Sequence, residues 1–331
     1  MKVLVSFFAV LVLALVAYAG VEAANLQYLF GVIIPYAAFV TFLAGVVFRI
    51  LKWGSSPVPF RIPTTCGQQK TLPWIKSSKL ENPSGLLGVI ARMALEVLFF
   101  RSLFRNLRTQ LSDGPRLAYG EAKWLWLAGL AFHWSFLIIL LRHLRFFMEK
   151  VPLPITMIEA LDSFLQLGAP LLYMTDVVLL LAVTYLFIRR VGIPQLRYIS
   201  LINDYFPLFL ILGIAVTGVL MRYFFKVDVV GAKMLAMSLI SLKPALPEVQ
   251  IGALFYTHLF LLSVLFAYFP FSKLTHMAGV FLSPTRNMAN NSRAKRHVNP
   301  WNYPVHVHTY QEYEDDFREK MKGAGLPVEK E

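Results

Sequence analysis

Cysteine is almost missing from this chain: Cys66 is the single one in 331 residues. One thiol excludes an internal disulfide, and it excludes an iron–sulfur cluster held by four cysteines. Charge is scarce too, at 15% of residues where an average soluble domain has roughly 25%. No glycine-rich loop follows a strand pattern, so no nicotinamide or flavin fingerprint is present. Basic residues outnumber acidic ones, for a net charge of +13. They gather in loops beside apolar runs, and no nucleic-acid-binding motif accompanies them. That pattern fits membrane topology and argues against nucleic acid as a partner. What remains is apolar: 57% hydrophobic residues and a mean hydropathy of +0.57. Most of the chain is expected to be solvated by lipid.

A spanning helix needs roughly 20 mostly apolar residues. Six stretches qualify: Val3–Ala19, Leu26–Leu51, Trp124–Phe147, Pro170–Ile188, Tyr205–Phe224 and Gly252–Leu274. The fold class expected is therefore an all-α integral membrane protein. The first stretch ends in Ala17-Tyr18-Ala19, as a signal peptide does before cleavage. Its basic region is a single Lys2, which favours an uncleaved signal-anchor helix over residues 1–25. Either way Gly20–Asn25 lies outside.

The charges orient the rest. Arg49, Lys52 and Lys123 border the long loop 52–123, Arg189, Arg190 and Arg197 follow the fourth span, and Lys273, Arg286 and Arg293 follow the sixth. The positive-inside rule puts these loops, and the tail 281–331, in the cytoplasm. The protein is thus expected in the cytoplasmic (inner) membrane with its C-terminus inside. Within the long loop, Gly85–Arg108 has the pattern of a basic amphipathic helix, lying on the inner surface or under a soluble partner. The tail is too short for a core of its own and is expected to dock on a partner.

Four of the seven histidines fall in two spans: His133 and His143 in the third, His258 and His276 in the sixth. A histidine in hydrocarbon is costly and is kept for a partner or a task. Neutral imidazole suits the axial position of haem iron. Two histidines on each of two spans predict two b-type haems at different depths. The other reading is a set of interhelical hydrogen bonds or a proton relay, as in a histidine-dependent transporter or proton channel. Few lipid-embedded carboxylates accompany the histidines, which disfavours it. By topology, His143 and His258 are outer and His133 and His276 inner, so each pair would hold one haem. At about 1.5 Å per residue the separations are roughly 15 Å and 27 Å. Pro270 is the expected place for the bundle to absorb that mismatch. Eighteen residues make about five turns, which would put His258 and His276 on one helix face. Arg142, Arg145 and Arg222, near the outer pair, are candidates for haem propionate contacts. Interfacial snorkelling accounts for them equally well, and Lys273 beside His276 is in the same position. His297, His306 and His308 lie in the polar tail; with no third metal ligand evident, they are taken as surface residues. Cys66 has no assigned role.

The ten- and eighteen-residue spacings resemble the membrane cytochrome b of respiratory nitrate reductase, the gamma-subunit family. The likeness covers residues 26–280. Finer text is similar to one branch, the DsrM-type subunit of the Dsr transmembrane complex of sulfur metabolism. It includes His133-Trp134-Ser135-Phe136, Arg142-His143-Leu144-Arg145-Phe146-Phe147, Asp204-Tyr205-Phe206-Pro207-Leu208 and Thr217-Gly218-Val219-Leu220-Met221-Arg222-Tyr223. Tyr268-Phe269-Pro270-Phe271-Ser272-Lys273-Leu274-Thr275-His276, Ser283-Pro284-Thr285-Arg286-Asn287 and Lys295-Arg296-His297-Val298-Asn299-Pro300-Trp301 belong to it as well. The extra first span and the long inner loop depart from the five-helix nitrate reductase subunit.

The resemblance implies a five-helix dihaem cytochrome b core with one extra N-terminal helix. It implies two haems b, the inner held by His133 and His276 and the outer by His143 and His258, with quinone chemistry at the outer haem. Electrons would pass between menaquinol and a cytoplasmic iron–sulfur subunit resembling a heterodisulfide reductase, within a larger membrane complex. A cytochrome b of a nitrate or heterodisulfide reductase complex is the neighbouring reading. The chain would be an electron-transfer subunit of a quinone-linked oxidoreductase, without a substrate-reducing site of its own. The lysine that helps bind quinol in the nitrate reductase subunit has no equivalent that can be placed here.

Overall fold

A computed structural model describes residues 1–56, 67–112, 116–165, 171–283, 285–294 and 304–330. Cys66, His297 and the segment 295–301 fall outside the described residues.

The chain is mostly helical. Helix α1 (Lys2–Glu22) is followed by a π-helical turn, Leu29–Ile33, that runs into α2 (Ile34–Gly54). Pro35 has no N–H to continue the ladder, and it sits where the π turn gives way to α2. In the long loop come α3 (Leu86–Phe99) and α4 (Arg101–Phe104), then a hairpin of β1 (Leu107–Ser112) and β2 (Arg116–Glu121), with Leu107 opposite Glu121. Helix α5 (Lys123–His143) continues as a 3₁₀ turn to Phe147. Next are α6 (Leu153–Asp162), α7 (Met174–Gly192), α8 (Pro194–Ile199) and α9 (Ile202–Val219), the last prolonged by a π turn to Phe224. Helix α10 (Val229–Ile240) starts at Asp228, whose carboxylate accepts from the Gly231 N–H. The chain ends with α11 (Ala253–Tyr268), the short α12 (His276–Gly279) and α13 (Tyr310–Gly323).

Among the described residues, five helical segments are long and apolar enough to cross a membrane: Lys2–Glu22, Leu29–Gly54, Lys123–Phe147, Ile202–Phe224 and Ala253–Phe271. The expected fourth span corresponds to α7, which stands outside this set: Asp176 lies in its first turn, and Arg189 and Arg190 in its last. It still belongs to the bundle, packing on α5 on one side and α9 on the other.

The packing explains why α1 is an integral member. It lies against α9 and α11 and contributes to both apolar clusters. Val10 joins Leu179, Val183, Leu210, Ile211, Leu261 and Leu265. Ala17 and Val21 join Phe30, Leu235 and Tyr256. Lipid is as apolar as these side chains, so close packing and polar contacts, not water exclusion, hold such helices together. Ser6, fully buried, donates to the Lys2 carbonyl, and Lys2 Nζ donates to the Ser200 carbonyl at 2.8 Å.

Two expectations need correction. The amphipathic helix of the long loop stops at Phe99 and does not reach Arg108, because Phe100 adopts left-handed backbone (φ 50°, ψ 46°). Trp126 and Trp134 of α5 donate their indole N–H groups to the carbonyls of Phe99 and Leu98, so the end of α3 is stapled along α5. The sixth span is not one helix through His276 either. It ends in a 3₁₀ turn at Phe269–Phe271, and Ser272 is extended (φ −120°, ψ 177°). Pro270 has no N–H to continue the ladder, and the Ser272 hydroxyl caps a new turn at Leu274. Helix α2 holds the break in place: Arg49 Nε donates to the Pro270 carbonyl at 2.9 Å, and Gly45 lies so near that a Cβ there would come within 2.5 Å of the proline ring.

Candidate functional site

The bundle brings the four membrane histidines together in two pairs. His143 and His258 have ring centres 6.5 Å apart with planes inclined by 14°. His133 and His276 have ring centres 6.0 Å apart with planes inclined by 80°. Helix α5 packs on α7, whereas α11 packs on α9, α2 and α1. The His143–His258 pair therefore links α5 and α11, which are not each other's main neighbours, while His133 on α5 meets His276 at the start of α12. The break at Pro270–Ser272 is what lets His276 meet His133. The eighteen-residue spacing no longer measures a helix, so the shared-face argument for His258 and His276 does not apply.

In every one of the four rings Nδ1 is already engaged. His133 Nδ1 lies 2.7 Å from the Gly129 carbonyl, His143 Nδ1 2.7 Å from Ile139 O, and His276 Nδ1 2.8 Å from Lys273 O. A carbonyl only accepts, so these three nitrogens carry the proton. His258 differs: its Nδ1 lies 2.9 Å from Thr217 Oγ1 on α9. The Thr217 hydroxyl donates to the Gly213 carbonyl at 2.8 Å, so its oxygen is left to accept from Nδ1–H. All four histidines thus present an unprotonated Nε2, which has no hydrogen-bond partner among the described residues.

Metal–imidazole bonds of about 2 Å, plus roughly 1.1 Å from each nitrogen to its ring centre, put two trans imidazoles about 6 Å apart. Both observed separations match that figure. Free rotation about a metal–nitrogen bond accommodates parallel and crossed rings alike. His133, His143 and His276 are exposed and His258 is half-buried. Gly218 lies against His258, where a Cβ would sit 3.4 Å from the imidazole. Phe100 and Phe132 meet His133 edge-on, with ring centres 5.0 and 4.9 Å away. The donor set and spacing therefore fit two bis-histidine haems.

The arginines of the sequence reading are arranged unequally. Arg142 is buried between two carboxylates, 3.0 Å from Asp162 Oδ2 and 2.7 Å from Asp176 Oδ1, and its guanidinium lies 3.7 Å from the centre of the Tyr173 ring. Asp162 also accepts from the Thr175 N–H and hydroxyl, and Asp176 from the Tyr223 hydroxyl. Arg145 pairs with Glu159, which Tyr173 also contacts. Burial alone would raise the Glu159 carboxyl pKa, but Tyr173 and Arg145 outweigh it and hold the pKa below the ordinary value. Arg222 lies over the Tyr173 ring at 4.5 Å and has no carboxylate partner among the described residues. Lys273 pairs with Asp204 at 2.6 Å.

Sequence reasoning missed Thr217 as the partner of His258, Asp162 and Asp176 as the partners of Arg142, and Phe100 as a neighbour of His133. Thr217-Gly218 stood inside a quoted motif, so a signal for it existed. The acidic partners lie on other elements and left none. His306 and His308 are exposed in the tail, with Glu312 close by.

A mostly helical bundle with five apolar spanning-length helices among the described residues, and histidines of α5 paired with those of α11 and α12, is the build of a multi-pass membrane protein. The chain belongs to the nitrate reductase gamma subunit family, whose profile matches residues 86–291. It is 44% identical over 279 residues to a protein of Archaeoglobus fulgidus described as an Hdr-like menaquinol oxidoreductase cytochrome b-like subunit, covering 82% of this chain and 83% of the relative. A protein of Archaeoglobus profundus with the same description is 40% identical over 274 residues, 81% of each chain.

Proposed function

We propose that this chain is a dihaem b membrane subunit. It exchanges electrons between the menaquinone pool and a cytoplasmic iron–sulfur subunit resembling a heterodisulfide reductase, in a DsrM-type complex of sulfur metabolism. The observation that carries the proposal is the meeting of His143 with His258 and His133 with His276 at bis-imidazole distance. The description of the two relatives as menaquinol oxidoreductase subunits supports the quinone side.

Haem b bound at each pair supplies one-electron transfer. The chain's residues do the rest. Gly129, Ile139, Lys273 and Thr217 fix the Nδ1–H tautomer, which would leave Nε2 of each ring free to hold haem iron. Arg222 keeps guanidinium donors for a propionate, while Arg142, held by Asp162 and Asp176, anchors the end of α5 next to His143. In this arrangement residues 26–280 form the redox core, with α7 as a further crossing. Residues 1–25 form an added, retained helix, and residues 281–331 face the cytoplasm beside the partner subunit. The quinone exchanges electrons at the outer pair, and the partner receives or supplies them at the inner pair.

The test is haem content and reduction. Purified protein should contain two haems b per chain, reducible by a menaquinol analogue. A preparation with no reducible b-type bands would overturn the proposal in favour of a histidine-dependent transporter or proton channel.

A further inference from the structure

The segment before α13 is extended, and residues two apart on extended backbone share a side. His306 and His308 do so here, with ring centres 5.1 Å apart. Helix α13 then opens with a capping box: the Glu312 N–H donates to Thr309 Oγ1, and Glu312 Oε2 accepts from the Thr309 N–H at 2.8 Å. This reciprocal bond pulls the Glu312 carboxylate back over the helix start, toward the two imidazoles. One nitrogen from each histidine and one Glu312 oxygen consequently lie within 4.8 Å of one another.

We propose that His306, His308 and Glu312 form a binding site for a borderline divalent metal ion of the zinc class. Two imidazoles and a carboxylate are the ligands such ions favour, at bonds of about 2 Å. Ligand atoms around such a centre stand roughly 3–4 Å apart, so closing the site needs only small rotations of three exposed side chains. The capping hydrogen bond occupies one Glu312 oxygen and leaves the other to bind, which orients the ligand from behind. The positive end of the helix opposes a cation here, but Glu312, Glu314, Asp315 and Asp316 place four acidic side chains in the first two turns. Three protein ligands leave at least one position open, for water or for a donor from a protein docked on this tail. The site lies apart from the histidine pairs of the bundle, and its metal is distinct from their iron.

The test uses the full-length protein in detergent, purified without a histidine tag and saturated with haem. Titration with Co²⁺, read by its visible ligand-field bands, and with Zn²⁺, read by calorimetry, should show one site that the H306A/H308A double variant lacks. Glu312→Gln keeps the capping hydrogen bond but not the charge, so it should weaken binding at least about tenfold while the helix persists. Metal uptake unchanged in the double variant overturns the proposal, and so does uptake in the parent no greater than in the double variant.

Discussion

Thr217 Oγ1 lies 2.9 Å from His258 Nδ1, making His258 the one histidine of the four whose Nδ1 is paired with a side chain of another helix. The other three use a backbone carbonyl of their own segment. A hydroxyl can be removed without disturbing the backbone. Thr217→Val should therefore weaken electron donation by His258 and raise the midpoint potential of the outer haem, by tens of millivolts on the order expected for a ligand hydrogen bond. Thr217→Ser should restore it. Redox titration of the two b-type components checks this; equal potentials in the valine variant and the parent would count against it.

The two pairs predict separable losses. His143→Ala should remove one haem and leave the other, and His276→Ala should remove the complementary one. Haem quantified per chain should fall from two to one in each variant. Two haems remaining in either variant would refute the pairing.

Gly45 and Pro270 are in close contact, and the break they define places His276. A Val at position 45 has no room beside the proline ring. Gly45→Val should displace the Phe269–Phe271 turn and lower occupancy of the inner haem more than that of the outer. Spectra of the variant combined with His143→Ala, which isolates the inner haem, measure this directly.

Arg142 is 8% exposed and neutralises two carboxylates. Arg142→Met would leave Asp162 and Asp176 without their cation, a loss of about 3–5 kcal/mol by analogy with other broken buried pairs. Arg145→Met, at a side chain 42% exposed, should cost no more than about 1 kcal/mol. Thermal unfolding in detergent should rank the two variants in that order.

Glu81 ties the start of the long loop to the segment after α3 through Arg101 and Arg105. Burial pushes its pKa up, but the hydrogen bonds and charges of the two arginines prevail and lower it from 4.5. A carboxylate with a depressed folded pKa stabilises the folded state fully above its unfolded value and loses that contribution as pH falls through the folded value. Docking of residues 67–106 should thus be complete above pH 4.5 and loosen below it. Hydrogen exchange of this segment against pH checks the window, and Glu81→Gln should flatten the dependence.

Much of the architecture was legible before any coordinates. Spanning segments are read from apolar runs because lipid demands length and apolarity, and α1, α2, α5, α9 and α11 follow the expected runs closely. The pairing expected from charge asymmetry, His143 with His258 and His133 with His276, is the pairing that the fold brings together. What could not be read was where helices end for local reasons. Phe100 in left-handed backbone and the Ser272 cap are decided by neighbours such as Trp126, Arg49 and Gly45, which are remote in sequence. The partners of Arg142 were hidden for the same reason.

The sequence by itself determined a chain of long apolar runs with four histidines in two of them, because hydrophobicity acts residue by residue. Only the tertiary structure decided that His276 reaches His133. A proline without an N–H and a serine cap interrupt the sixth span, and α2 packs the interruption into place, so a mismatch of helix lengths becomes a pair of neighbouring, crossed imidazoles.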